Sequence, residues 1–280
     1  MPRRPDQVTG LRPEPAIART VLSWTSLGFD PLIDHYRVHG VRGERPGFEP
    51  TDGTLLGKTV YPQFVHHVDP RGETWTYRVV AVSDAGWTGR PSDTLVAASV
   101  ASVVATGRPV ATIGEFDGRT LEHRFAPSGY AQIPPAYPDA LYEYVQGRDT
   151  PSAAWPYLLP GPGDAWAGRR AYTARWHLDL PEAPAGDHDL ALWLVDTTNL
   201  GGVLRVTVNG TRLADVTLAR GGTRGSREGD ATVPGTALVR SYHELPVPGD
   251  RLRAGANAVE LLLAEGGWVA WDAVGLFARA

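Results

Sequence analysis

The 280-residue chain has 42% apolar residues, enough for a substantial core and for two ordinary domains or one large β domain. Its net charge of −4, with no run of five like charges, excludes the basic face that a nucleic-acid binder needs to neutralise phosphates. It contains no cysteine, which rules out disulfides, thiolate catalysis and Cys-ligated zinc, and no apolar run approaches the roughly 18 residues that span a membrane.

The 32 glycines and 24 prolines are spread along the chain with short β-rich runs between them. No segment sustains a helical period, so the pattern predicts a sandwich or barrel. Arg3 and Arg4 are not followed by an apolar segment, so no secretory signal is expected in this chain. Residues 6–98 read as a first unit. Thr20–Trp24 is a strand with Trp24 available to a core; Ile33–His39 and Thr74–Val82 alternate apolar and polar residues with the strand period. Trp24, the run Tyr36-Arg37-Val38, the run Trp75 to Val82, and Gly86 followed by Pro91-Ser92 together resemble a fibronectin type III domain. One departure stands out. The family's corner tyrosine falls at Trp75, whose indole donates a hydrogen bond but has no phenol oxygen, so the usual corner bond is expected to be altered.

Residues 99–112 read as a linker with room for a strand at either end. Residues 113–280 read as a second unit, opening with a candidate strand at Leu121–Phe125 and an irregular, proline-rich stretch over 126–168. A loop of that length is expected to be functional or ordered by its own side chains. Strands follow at Tyr172–Leu180 and Asp189–Val195. Leu204–Val208 and Arg212–Leu218 form a hairpin through Asn209-Gly210, since both turn residues accept positive φ. Asn257–Leu263 and Val269–Phe277 complete the sheet. Gly221 to Ser226 lacks the Lys-Ser/Thr and helix of a phosphate cradle and reads as a loop.

Four segments carry a second resemblance: Arg175 to Leu180, Leu204 to Gly210, Leu252 to Leu261 and Val269 to Leu276. In that order they resemble the C-terminal carbohydrate-binding-like jelly roll of rhamnogalacturonan lyases, polysaccharide lyase family 4. The match covers the last third of the chain; residues 113–168 match poorly. The resemblance implies an all-β chain, a fibronectin type III-like sandwich followed by a β-jelly-roll (galactose-binding-like) sandwich. It implies a non-catalytic module that binds a pectic, rhamnogalacturonan-like polysaccharide or oligosaccharide outside the cell, with an upstream catalytic domain as partner. It implies neither a nucleic-acid nor a membrane partner. The family's catalytic lysine and histidine belong to the domain absent here. Lys58, the only lysine, lies in the fibronectin-like unit, so that chemistry transfers to no position.

The residues themselves leave three function classes open: a binding module, a lyase or hydrolase with its site in 113–168, and a structural adhesion or spacer protein. The carboxylate pairs Glu115/Asp117 and Asp187/Asp189 sit by turns, and their spacing cannot set a catalytic separation. No Gly-x-Ser-x-Gly elbow is present. His66 and His67 are adjacent on a strand and face opposite ways, so they cannot share a metal. The jelly-roll resemblance admits a structural calcium ion with Asp272 as ligand; the competing reading has Asp272 bonding backbone at a strand end. Trp155 and Trp166 lie in turn chemistry, where an aromatic held on a stiff loop is a platform for a sugar ring; the competing reading makes them lids on the sandwich. Tyr157 adds to the same aromatic stretch. Asp164 and Arg169 flank it and have the chemistry to orient sugar hydroxyls or, for arginine, a uronate carboxylate. Arg240 and His243 are secondary candidates for the same site.

Overall fold

The computed structural model describes residues 3–28, 31–221 and 238–279. The candidate loop residues Gly222 to Ser226 lie outside them. The chain divides into two compact units, Met1–Thr106 and Gly107–Ala280.

The described residues of the first unit form seven strands: β1 (Arg12–Ala16), β2 (Arg19–Ser23), β3 (Ile33–Arg42), β4 (Leu55–Thr59), β5 (Gln63–His67), β6 (Thr74–Ser83) and β7 (Leu95–Ala98). They form a three-stranded sheet in the order β1-β2-β5 and a four-stranded sheet in the order β4-β3-β6-β7. The alternating residues of both sheets meet in one core: Leu22, Trp24, Tyr36, Val38, Tyr77, Val79, Ala81 and Ala97. Trp24 meets Tyr36 edge-on at 5.2 Å, the geometry that the ring quadrupoles favour. This is the fibronectin type III-like sandwich that the resemblance implies. The corner is rebuilt as its chemistry requires. The Trp75 indole donates to Glu73 at 2.8 Å, and the phenol two residues on, Tyr77, pairs with His66 Nδ1 at 3.0 Å. Burial pushes the Tyr77 phenol up to about 12, so it remains a neutral hydrogen-bonding group.

The described residues of the second unit form ten strands: β8 (Arg108–Gly114), β9 (Leu141–Val145), β10 (Leu158–Pro160), β11 (Thr173–Leu180), β12 (His188–Thr197), β13 (Gly202–Val208), β14 (Thr211–Leu218), β15 (Ser241–Val247), β16 (Gly255–Gly266) and β17 (Trp268–Ala278). One five-stranded sheet runs β10-β17-β12-β15, with β8 also paired to β17; the other runs β14-β13-β16-β11-β9. Every pairing is antiparallel except β9 with β11. Both sheets send alternate residues into a single core that includes Leu190, Leu192 and Leu194 of β12, Trp176 of β11, Leu261 of β16 and Trp271 of β17.

The segment 99–112 ends in a strand, as its reading allows: β8 begins at Arg108 and pairs with β17. Two sequence expectations are corrected here. Leu121–Phe125 is not a strand: Phe125 takes a φ of 67°, and only Arg124 makes an isolated bridge, to Pro156. The stretch 126–168 is not wholly irregular, since it supplies β9 and β10. Both strands are short and lie at sheet edges.

The two motifs that carry the second resemblance lock together. Asn209 and Gly210 take φ of 50° and 76°, the conformation that the two-residue hairpin demands. The Asn209 amide then donates to Asn257 Oδ1 at 2.9 Å and to the Arg251 carbonyl, and its Oδ1 accepts from the Ala258 amide. Asn257 is buried and donates to the carbonyls of Arg253 and Gly255. Two asparagines thus satisfy the backbone of two turns that would otherwise carry unpaired polar groups into the sheet end.

Candidate functional site

The stretch 151–172 contains most of the residues singled out in the sequence, and its fate divides at β10. Pro151–Ala154 makes one helical turn and Leu158–Pro160 pairs with β17. Between them Trp155 is driven inward. It has no exposed surface and packs on Trp271 at 5.8 Å and edge-on to Tyr144 at 6.1 Å. Tyr157 is buried beside it. Trp155 and Tyr157 are therefore core residues and not a ligand platform, a correction forced by β10. A strand paired on one side and facing the core on the other leaves its flanking aromatics no route to solvent.

Beyond β10 the chain turns at Gly161 and Gly163, whose amides donate to the carbonyls of Gly267 and Gly266. Asp164 then fixes the loop. Its Oδ1 accepts the Trp166 amide at 2.9 Å, an Asx turn, and its Oδ2 accepts the Tyr130 hydroxyl in a short hydrogen bond. Its carbonyl accepts the Arg169 amide at 2.8 Å. Asp164 is buried, and both of its carboxylate oxygens already have partners. It positions the loop, whereas the sequence points to it as a direct sugar contact. Burial, reinforced by the neighbouring carboxylate, pushes the Tyr130 phenol well above its ordinary range, so Tyr130 is always the donor in this pair. Tyr130 is the residue that sequence reasoning misses. Its only signal is that a long proline-rich loop needs internal partners to be ordered.

On this clamp Trp166 stands 82% exposed, the most exposed large apolar side chain among the described residues. Arg169, three residues on, is exposed and takes a φ of 55°, and Arg170 anchors the loop by donating to the Pro138 carbonyl at 2.5 Å. Trp166 and Arg169 are thus held on one short loop. Arg240 and His243 belong elsewhere: Arg240 donates to the Gly118 carbonyl at 3.1 Å, and His243 lies on β15 opposite Leu192 of β12, at the edge of the sheet away from β10.

Asp272 is fully buried in β17. Its Oδ1 accepts the amides of Gly118 and Arg119 at 2.7 and 3.2 Å, and its own carbonyl meets His123 Nε2 at 2.8 Å. Asp272 Oδ2 and His123 Nδ1 are buried without a partner. Burial, which outweighs the two amide bonds, pushes the Asp272 carboxyl up to about 7, and burial pulls His123 down. The loop 115–123 is thus tied to β17 through Asp272, the backbone-bonding role. No group of three or more His, Asp or Glu side chains placed to hold a metal ion occurs among the described residues. Three of the four paired carboxylates are also engaged. Asp117 caps the Arg119 amide, Asp187 accepts the Gly249 amide, and Asp189 pairs with Arg279.

The fold and site together define an all-β chain containing a fibronectin type III-like sandwich. No protein-family model matches the chain, and no curated protein matches it. Among solved structures it is similar to the twitchin kinase region from C. elegans at 15% identity and a TM-score of 0.29, over 36% of this chain and 17% of that one. It is similar to the fibronectin type III domain of human fibronectin type III domain containing protein 3 at 14% identity and a TM-score of 0.30, over 36% of this chain and 91% of that one. It is similar to the Clostridium perfringens spore cortex lytic enzyme SleM at 16% identity and a TM-score of 0.25, over 34% of this chain and 28% of that one. The chain therefore matches less than a fifth of the length of the twitchin structure. No helix among the described residues is long and apolar enough to cross a membrane.

Proposed function

We propose that this protein is a non-catalytic carbohydrate-binding accessory protein, in which a fibronectin type III-like unit carries a jelly-roll module resembling that of the polysaccharide lyase family 4 enzymes. The single observation that carries the reading is Trp166, an indole face open to solvent on a loop fixed by the buried Asp164 and its partner Tyr130. A rigid aromatic stacks on the C–H face of a pyranose with little loss of side-chain entropy, and Arg169 supplies hydrogen bonds at its edge. The ligand class is a plant-type, rhamnogalacturonan-like polysaccharide. One module of this kind binds weakly, and attachment to a catalytic domain raises its effective concentration on the polymer. The setting this function suits is extracellular.

Affinity electrophoresis of the full chain through gels containing rhamnogalacturonan tests the reading. The wild-type chain is expected to be retarded, and Trp166→Ala to migrate freely with an unchanged melting temperature. Equal retardation of the two proteins, or release of unsaturated uronate by the wild-type chain, would overturn it.

A further inference from the structure

The outward face of the β14-β13-β16-β11-β9 sheet holds a depression of about 370 Å³, lined by residues from four neighbouring strands and by Asp139 and Ala171 at its rim. Register sorts the lining into two rungs. Glu143 of β9, Arg175 of β11, Glu260 of β16 and Thr207 of β13 stand side by side in one. Leu141, Thr173, Leu262 and Arg205 stand side by side in the next. The first rung is a hydrogen-bonded chain. Arg175 Nε donates to Glu260 Oε1 at 2.7 Å, Arg175 Nη1 to Glu143 at 3.1 Å, and Thr207 Oγ1 to Glu260 Oε2 at 3.1 Å. The second rung is an apolar strip of Leu141, Leu262 and the Thr173 methyl, closed by Arg205, whose Nε donates to Asp215 at 3.3 Å.

We propose that this groove is a second carbohydrate subsite and that it takes a neutral glycosyl residue. The proposal rests on the carbohydrate-binding reading above. The volume admits one pyranose ring, at the low end of small-ligand sites. An apolar strip beside a polar rung matches a ring that has a C–H face and hydroxyl edges. Glu260 retains lone pairs for a hydroxyl donor. The Nη groups of Arg205 and the Thr173 hydroxyl have no side-chain partner among the described residues and can serve hydroxyl acceptors. The charge pattern selects against a uronate. The lining itself is balanced, Arg175 and Arg205 against Asp139 and Glu260; beside it Asp215 is neutralised by Arg212, and Glu143 tips the groove negative. Arg175 already serves two carboxylates, and a uronate entering here meets Asp139, Glu260 and Glu143 around it. The groove thus reads neutral residues of a polymer, and the Trp166 loop is a separate contact.

The test is an amide-resolved NMR titration of the full chain with methyl galactoside and methyl rhamnoside as neutral probes and sodium galacturonate as the acidic one, each to about 50 mM, the range in which a single weak subsite saturates. The expected result is a shift of amides around Thr173, Arg175, Thr207 and Glu260 with a neutral probe. The dissociation constant should rise about tenfold in Glu260→Gln and in Thr207→Val, and stay unchanged in Trp166→Ala. Circular dichroism and melting temperature establish that the variants are folded, and Thr207→Ser should restore binding. A groove that does not respond to either neutral probe, or that binds galacturonate more tightly, overturns the inference. If the groove is silent while Trp166→Ala abolishes polymer retardation, this subsite falls and the proposed function stands. If the groove responds while Trp166→Ala leaves retardation intact, the Trp166 platform falls and the subsite stands.

Discussion

Trp155 and Trp166 are eleven residues apart, in the same run of prolines and glycines, and the fold treats them in opposite ways. Trp155 precedes β10, a three-residue strand that pairs with β17 and draws its neighbours into the core. Trp166 follows β10, on a loop tied to the backbone by Gly161 and Gly163 and to Tyr130 by Asp164. Composition is the same in both places. The difference comes from which side of one short edge strand each indole occupies. Turn chemistry therefore specifies a bend in the chain but not the exposure of the aromatics beside it.

The largest effect that would break this comparison is on stability. Trp155→Ala should cost about 3–5 kcal/mol, the range for deleting a large buried aromatic, and lower the urea midpoint accordingly. Trp166→Ala should stay within about 0.5 kcal/mol of wild type, as for an exposed side chain. Similar midpoints for the two variants would mean that the indoles do not differ in burial.

A smaller effect is expected at the clamp. Asp164→Ala leaves the half-buried Tyr130 hydroxyl and the Trp166 amide without their acceptor, at about 1–2 kcal/mol. It should also weaken polymer binding by releasing the Trp166 loop. Asp164→Asn keeps an acceptor for only one of them and should fall between wild type and Asp164→Ala in both measurements. Polymer binding that survives Asp164→Ala intact would separate the indole from its clamp.

The subtlest contrast is between Asp164 and Asp272, two buried carboxylates with different solvation. Asp272 has one oxygen without a partner, and its folded-state pKa lies at about 7, above the unfolded value near 3.9. Such a group contributes stability that is complete below the unfolded pKa and is lost as pH rises through the folded one. His123 opposes it. Its folded-state pKa is lowered, so its contribution grows as pH rises toward the ordinary histidine value. The stability difference between wild type and Asp272→Asn isolates the carboxylate. Denaturant titrations should show wild type losing ground to the variant from about pH 4 to pH 7 and no further change above pH 8. A flat difference would mean that Asp272 is ionised throughout.

Much of the fold is legible along the chain because it depends on local rules. Alternation locates β3, β6, β11, β12 and β17 to within a few residues, and Asn209-Gly210 specifies the β13–β14 hairpin through its positive φ angles. The short edge strands β9 and β10 escape notice because five and three residues, set in a proline-rich stretch, leave too little of a period to read. The site is less legible still. Trp166 and Arg169 are visible as a pair on one loop, but Tyr130 lies 34 residues before Asp164 and shows no pattern that links them.

The sequence by itself determined the all-β class, most of the strands, the tight hairpin and the absence of a thiol or basic-patch chemistry, because each follows from residue type or from a period over a few neighbours. Only the tertiary structure decided which tryptophan faces water, that Asp164 and Asp272 bond the chain's own loops, and that Arg175, Glu260 and Thr207 share one rung of a sheet. Those facts depend on strand register across long separations. A one-residue change in register would place the same side chains on the opposite face.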